Sequence, residues 1–177
     1  GMRTTVVGCV LVALLAACGG GGSSALVEPA SVPTDMVPAT LGEGLTVHEF
    51  SPARSRFASA GDSSLVADGR VWAIRRGQTL VGTLQVSTVK PDVSVVDKDD
   101  RKAIVGGVMT GISYETVQVG DTSVIASTAA DKSLYLWFGS NLFEVLQVKS
   151  TKVEPDEIAA ELIEFQQATG KIGGQSR

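Results

Sequence analysis

Leu134-Tyr135-Leu136-Trp137-Phe138-Gly139-Ser140-Asn141-Leu142-Phe143-Glu144-Val145-Leu146 is the stretch on which the fold turns. Two apolar runs flank a Gly-Ser-Asn break. Neither run alternates with polar residues as a half-buried strand would; each is apolar at nearly every position. A strand of that kind is covered on both faces. The break is built from turn formers, and so short a connection joins antiparallel neighbours, since parallel ones need a long crossover. The two runs therefore read as central antiparallel strands, with Trp137, Phe143 and Leu146 as core candidates.

Upstream, strand candidates at 113–119 and 122–128 precede those at 132–138 and 142–149, separated by Gly120-Asp121, Ala130-Asp131 and Gly139-Ser140-Asn141. That order predicts a four-strand meander. An earlier pair, Val71 to Arg75 and Leu80 to Val86, turns at Arg76-Gly77-Gln78. In its second arm Leu80, Gly82, Leu84 and Val86 alternate with Val81, Thr83, Gln85 and Ser87, which assigns the first set to a core. Lys90-Pro91 ends the hairpin. Residues 97–111 predict an internal helix with Asp97 as N-cap, Asp99 and Asp100 at its positive end, and Ile104, Val105, Val108 and Met109 as its apolar stripe. Gly106, Gly107 and Gly111 weaken it and suggest close packing on a sheet. A closing helix starts at Pro155, buries Ile158, Leu162 and Phe165, and stops at Gly170. Leu45, Val47 and Phe50 predict a first short strand; Ser51-Pro52 suggests a helical turn or two over 52–60. The expected class is α+β: an antiparallel sheet, hairpin plus four-strand meander, packed with an internal helix and a C-terminal helix.

The amino terminus has a different character. Arg3 precedes Val6 to Ala17, apolar apart from Gly8, and the run ends Leu15-Ala16-Ala17-Cys18 before Gly19 to Ser24. About a dozen apolar residues are too few to span a membrane, which takes roughly 20. A positive start, an apolar core and small residues form the layout of a signal peptide. The tetrapeptide Leu15-Ala16-Ala17-Cys18 resembles the lipobox of bacterial lipoproteins. The resemblance covers this segment only. It implies cleavage before Cys18, lipid attachment to Cys18, and a domain tethered to a cell membrane on its extracytoplasmic side; two acyl chains make such an anchor stable. The organisation expected is a signal peptide at 1–17, lipidated Cys18 and a Gly/Ser/Pro tether to residue 40, one domain over 41–170, and a disordered tail at 171–177. As a flexible coil the tether would span roughly 25 Å.

The whole chain is 44% hydrophobic and 19% charged, a globular balance. Of 15 Lys+Arg, Arg3 lies in the signal, leaving 14 cations against 19 carboxylates and a net charge of −5. That balance suits neither general nucleic-acid binding nor a phosphate-tracking surface. Cys9 falls in the signal and Cys18 goes to the lipid, so no thiol nucleophile and no Cys-ligated zinc is expected. His48 is the single histidine, and strand alternation turns it away from Glu49. No G-x-S-x-G surrounds a serine. The cluster Asp92, Asp97, Asp99 and Asp100 lacks EF-hand spacing, and Gly106 to Gly111 lacks the lysine of a phosphate loop.

These readings leave no catalytic residue, metal or cofactor to nominate, and an enzyme is not expected. One asymmetry stands out: Arg54, Arg56, Arg70, Arg75 and Arg76 crowd one segment, while Glu154, Asp156, Glu157, Glu161 and Glu164 crowd the last helix. The arginines are the candidate surface for an acidic protein partner or anionic headgroups. The expected function is a membrane-anchored, non-enzymatic binding or envelope-complex accessory domain. The alternative is a carrier holding an apolar or lipid-like ligand between sheet and helices.

Overall fold

Side chains alternate across a strand, and along β7 (Ser133–Phe138) and β8 (Leu142–Val148) that alternation divides the two apolar runs between two cores. Tyr135, Trp137, Leu142, Leu146 and Val148 enter one cluster. Leu134, Leu136, Phe143 and Val145 enter the other. The computed structural model describes residues 31–42, 44–50, 64–149 and 151–172. Around these two strands lie β1 (Thr40–Leu41), β2 (Leu45–Glu49), β3 (Val66–Arg76), β4 (Thr79–Val89), β5 (Glu115–Val119) and β6 (Thr122–Thr128). All pairings are antiparallel and form one eight-stranded sheet in the order β1-β2-β3-β4-β8-β7-β6-β5. The chain is a mixed α+β protein. The hairpin β3–β4 and the meander β5 to β8 join where β4 pairs with β8, from Gly82↔Val148 to Thr88↔Leu142.

The turns follow local chemistry. β3–β4 and β5–β6 close through the two-residue loops Gly77-Gln78 and Gly120-Asp121, with Gly77 at φ 59 and Gly120 at φ 59. A positive φ at the first loop position matches the right-handed strand twist and suits glycine. The alternation expected in β4 breaks at one point. Ile74 pairs with Gly82 while Arg75 pairs with Leu80, so Val81 is an extra residue. This bulge shifts the phase. Val81 therefore joins Leu84 and Val86 in the core, and Leu80 is half-exposed.

Helix α1 (Lys98–Val108) begins at Asp97, whose carboxylate accepts from the amides of Asp99 and Asp100 at 2.9 and 3.1 Å. Ile104, Val105 and Met109 share the cluster of Leu134 and Phe143, and Arg101 lies 4.2 Å from the ring centre of Phe138. Gly106 and Gly107 face solvent, and a Cβ on Gly106 would meet nothing within 4 Å. Close packing does not explain them. Helix α2 (Pro155–Ala168) buries Ile158, Ala159, Leu162, Ile163 and Gln166. Phe165, expected on the buried stripe, is half-exposed; the helix turns Gln166 inward instead.

The folded region starts earlier than Leu41. Val32 and Met36 are core residues at 2% and 0% exposure, in a segment with no regular structure before Thr40. The Val32 amide donates to Asp68 at 2.8 Å, Lys171 pairs with Asp35 at 2.7 Å, and the Gly42 amide donates to Glu161 at 2.7 Å. Prolines forbid regular structure here, but two apolar side chains four residues apart still pack. The carboxyl-terminal boundary moves as well: Ile172 is a core residue, and the Lys171 amide bonds Gln166 O at 2.8 Å. The expected signal segment, Cys18, the expected tether to residue 30, the turns expected at 52–60 and residues 173–177 lie outside the described residues. Among those described, no helix is long and apolar enough to cross a membrane.

Candidate functional site

The three described arginines of the arginine segment, Arg70, Arg75 and Arg76, do not share one patch. Arg54 and Arg56 lie outside the described residues. Strand alternation puts Arg70 and Arg76 on the face of Trp72 and Ile74, and Arg75 on the face of Val71 and Ala73. Arg70 and Arg76 are six residues apart along β3, roughly 20 Å. Each described guanidinium is also engaged locally. Arg70 pairs with Glu49 at 3.0 Å, Arg75 donates to Gln78 O at 3.0 Å across its own turn, and Arg76 donates to Lys152 O at 2.9 Å. His48 is exposed on β2 opposite Ala73. Asp97 and Asp100 spend carboxylate oxygens on backbone amides, the latter on Ser94 at 2.8 Å. Among the described residues no group of three or more His, Cys, Asp or Glu side chains could hold a metal.

A concave site does form where β5, β6 and β7 meet the amino-terminal half of α2. Register builds it: Glu115 sits opposite Ala126, and Ala126 opposite Tyr135. A small residue stands between two large ones in this cross-strand row. Ala160 of α2 is equally small. The space left is a half-open cleft of about 390 Å³. Its base is apolar, from Ala126 and the tyrosine ring, and Val117 and Val119 of β5 line one side. Glu115, Thr128 and Asp156 supply oxygen atoms, and among the described residues no lysine or arginine lines it. Within the cleft the Tyr135 hydroxyl donates to Asp156. Burial first, and the bond to Asp156 second, hold the phenol well above its ordinary pKa. Tyr135 thus fastens the first turn of α2 to β7, and it is a poor proton donor to any guest.

A second cluster lies deeper. Trp137 and Glu144 are cross-strand partners on β7 and β8. Glu144 is fully buried. One of its oxygens accepts from Trp137 Nε1 at 2.7 Å and the other from Gln166 Nε2 at 2.6 Å. Gln166 Nε2 also donates to the Met36 carbonyl at 3.2 Å, and Gln166 Oε1 accepts from Trp137 Nε1 at 3.1 Å. Burial pushes the Glu144 carboxyl up to about 8 against both hydrogen bonds. Sequence reasoning passed over this residue. Its signal was present: Glu144 is the one charged residue in the stretch 134–146, and a buried polar group must find partners. The partners were not legible, because Gln166 and Met36 lie far away in sequence. The cleft was missed for a similar reason, since it arises from two alanines on different elements.

No protein-family model and no curated protein matches the chain. A crystal structure from Bacteroides thetaiotaomicron VPI-5482 is similar at 13% identity with a TM-score of 0.35, over 69% of this chain. This chain spans 45% of that one, and a likeness so distant carries no argument about fold or activity.

Proposed function

We propose that this is an extracytoplasmic lipoprotein, anchored through lipid on Cys18, whose domain works by binding a protein partner rather than by turnover. The binding surface we assign is the cleft between β5 and α2, in place of the arginine segment. The observation that carries this assignment is the lining of the cleft: an apolar base with carboxylates at Glu115 and Asp156 and, among the described residues, no cation. Such a lining favours a positively charged group on a short aliphatic stem, such as a lysine side chain presented by the partner. It disfavours a fatty acid, whose carboxylate would face two others, and so it weighs against the apolar-carrier alternative. The raised Tyr135 phenol supports binding over acid–base chemistry, because an efficient general acid has a pKa near the working pH.

Anchoring makes weak binding sufficient, since confinement to one membrane raises the effective concentration of a partner on it. The test uses n-butylammonium as a lysine side-chain mimic and octanoate as a carrier ligand. Amide shifts on titration should concentrate at Val117, Ala126 and Thr128 with the amine, and vanish in Glu115→Lys and in Ala160→Trp, which fills the cleft from an exposed helix position. Shifts at the cleft with octanoate, or amine shifts scattered elsewhere, would reject the assignment. The anchor is tested separately: Cys18→Ser should move the protein from the membrane to the soluble fraction or leave an uncleaved precursor.

A further inference from the structure

Strand β5 closes one end of the eight-stranded sheet, with β6 on one side and, among the described residues, no strand beyond it. We propose that the partner of the cleft adds to this edge as one further strand: an extended basic segment whose backbone pairs with β5 and whose lysine side chains lie in the cleft. The inference rests on the cleft reading above and adds how the partner is held.

The edge is open. The two-residue loop Gly120-Asp121 makes Val119 and Thr122 a hydrogen-bonded pair, and such pairs recur at every second residue of an antiparallel ladder. Val119, Val117 and Glu115 therefore spend their amides and carbonyls on β6, at Thr122, Val124 and Ala126. Thr116 and Gln118 turn theirs outward. Among the described residues no backbone hydrogen bond from a turn or loop reaches either one, and both are exposed. Sheet edges are ordinarily guarded by a lysine, a proline, a bulge or sheer shortness. The opposite edge is short: β1 has two residues and follows Pro38. β5 carries none of these guards. It is five residues long, its register with β6 runs without a shift, and residues 103–131 contain no lysine, arginine or proline.

The cleft runs out to this edge. Glu115, Val117 and Val119 share the cleft face of β5, and residues of an added strand lying opposite them share it too. Gln118 also lines the cleft, although its side chain leaves on the other face to bond Ser123 Oγ at 2.8 Å. What Gln118 presents to the cleft is therefore backbone, at the mouth. Side chains directly opposite across a pair have Cβ atoms about 4.5–5.5 Å apart. A lysine opposite Val117 thus lays its stem on that valine and carries its ammonium beside Glu115. Its neighbours along the strand turn to the face of Thr116 and Tyr114, where the tyrosine is 52% exposed and an apolar side chain fits. The matching segment alternates lysine with apolar residues.

Charge decides the occupant. Glu115 and Asp156 line the cleft and Asp121 sits in the adjoining turn, with no cation among the described lining residues. A second copy pairing β5 to β5 would bring like charges together, which destabilises a strand pair. A basic strand meets them with complementary charge.

The probe is the peptide Val-Lys-Val-Lys-Val, acetylated and amidated, titrated into the full chain alongside n-butylammonium and followed by amide shifts. Peptide shifts should include Thr116 and Gln118 as well as Val117. Thr116→Pro removes an outward N–H and keeps the bonds to β6, a substitution that edge strands accept. It should weaken the peptide by about tenfold or more and leave the n-butylammonium shifts unchanged. Glu115→Lys should abolish both. N-methylation of the peptide checks the same point with the protein unaltered, and serves if Thr116→Pro does not fold. Alternate amides of an added strand face β5, so methylating one set, the valines or the lysines, should abolish binding while methylating the other is tolerated. If n-butylammonium binds the cleft but the peptide binds Thr116→Pro as tightly as the wild type, or both methylated peptides bind alike, strand addition is overturned and the cleft reading stands. Cleft shifts with neither ligand would reject both. A free chain that sediments as a dimer, and as a monomer in Thr116→Pro, would give the edge to a second copy and overturn the proposal.

Discussion

Gly82→Ala tests whether the hairpin and the meander truly form one sheet. A Cβ on Gly82 would lie 2.8 Å from the Gln147 carbonyl oxygen and 3.6 Å from Val148 Cα, both on β8. Neither is the free end of a side chain, so the β4–β8 seam itself must widen. Overpacking of this kind costs about 1–3 kcal/mol. Against it stands the entropy that alanine removes from the unfolded chain, about 0.4–1 kcal/mol in favour of the variant. The net should be a loss of about 1–2 kcal/mol. Gly69→Ala is the matched control on the neighbouring strand. There the added methyl meets Ser87 Oγ at 3.8 Å and Val86 O at 3.9 Å, ordinary contacts, so the entropy term alone predicts no loss or a small gain. Urea unfolding followed by tryptophan fluorescence reads both variants, with Trp72 and Trp137 buried on either side of the seam. Gly82→Ala as stable as the wild type, or no more damaging than Gly69→Ala, would refute the close approach of β4 to β8.

Three further outcomes follow from the packing. Leu162→Ala, at a fully buried position on α2, should cost about 2–5 kcal/mol in denaturant unfolding; a cost near zero would mean the helix is not seated on the sheet. A chain beginning at Leu41 loses Val32 and Met36 from the core and should be less stable by about 2–4 kcal/mol; an unchanged melting temperature would return residues 31–40 to the status of a tether. Stability should fall as pH rises from about 5 to 8. The folded state holds the Glu144 proton to about 8 whereas the ordinary carboxyl loses it near 4.5, so unfolding releases a proton across this window and is favoured by higher pH. Urea midpoints at pH 5, 6.5 and 8 check it, and a profile that rises, or that keeps its slope in Glu144→Met, contradicts the assignment.

How much of this was legible depended on the range of the interaction. The meander followed from short turns, and the central place of β7 and β8 from apolar runs without alternation. The N-cap at Asp97 and the stop at Gly170 are local and were readable. The seam between β4 and β8 was not, because pairing across some sixty residues leaves no local pattern. The bulge at Val81 was hidden for the same reason: Val81 and Leu80 are equally apolar, and only the partner strand decides which one faces inward. The packing of Val32 and Met36 was not legible because irregular backbone and absence of packing look alike in a sequence. The described part of the arginine run shows a different limit. Nearness in sequence along a strand is not nearness on a face, and β3 sends Arg75 to one side and Arg76 to the other.

Gln166 explains why a buried acid is compatible with a well-defined fold here. Helix α2 presents Ile158, Ala159, Leu162 and Ile163 to the sheet, a pattern that repeats every four residues. A helix held by those contacts alone could slide by one turn and still bury apolar groups. That slide moves every side chain by about 5.4 Å. It would carry Gln166 Nε2 out of reach of both Glu144, now at 2.6 Å, and the Met36 carbonyl, now at 3.2 Å. Glu144 would keep the bond from Trp137 but be left with one buried oxygen unpaired, at about 1–3 kcal/mol or more. Leucine at 144 and 166 would remove the discrimination between registers, and it would also take both acceptors from the buried Trp137 Nε1. A single polar contact in an apolar seam fixes register in this way in coiled coils, at a cost in stability. The same amide that sets the helix also bonds the Met36 carbonyl, so the register of α2 and the seating of the chain at Met36 are coupled.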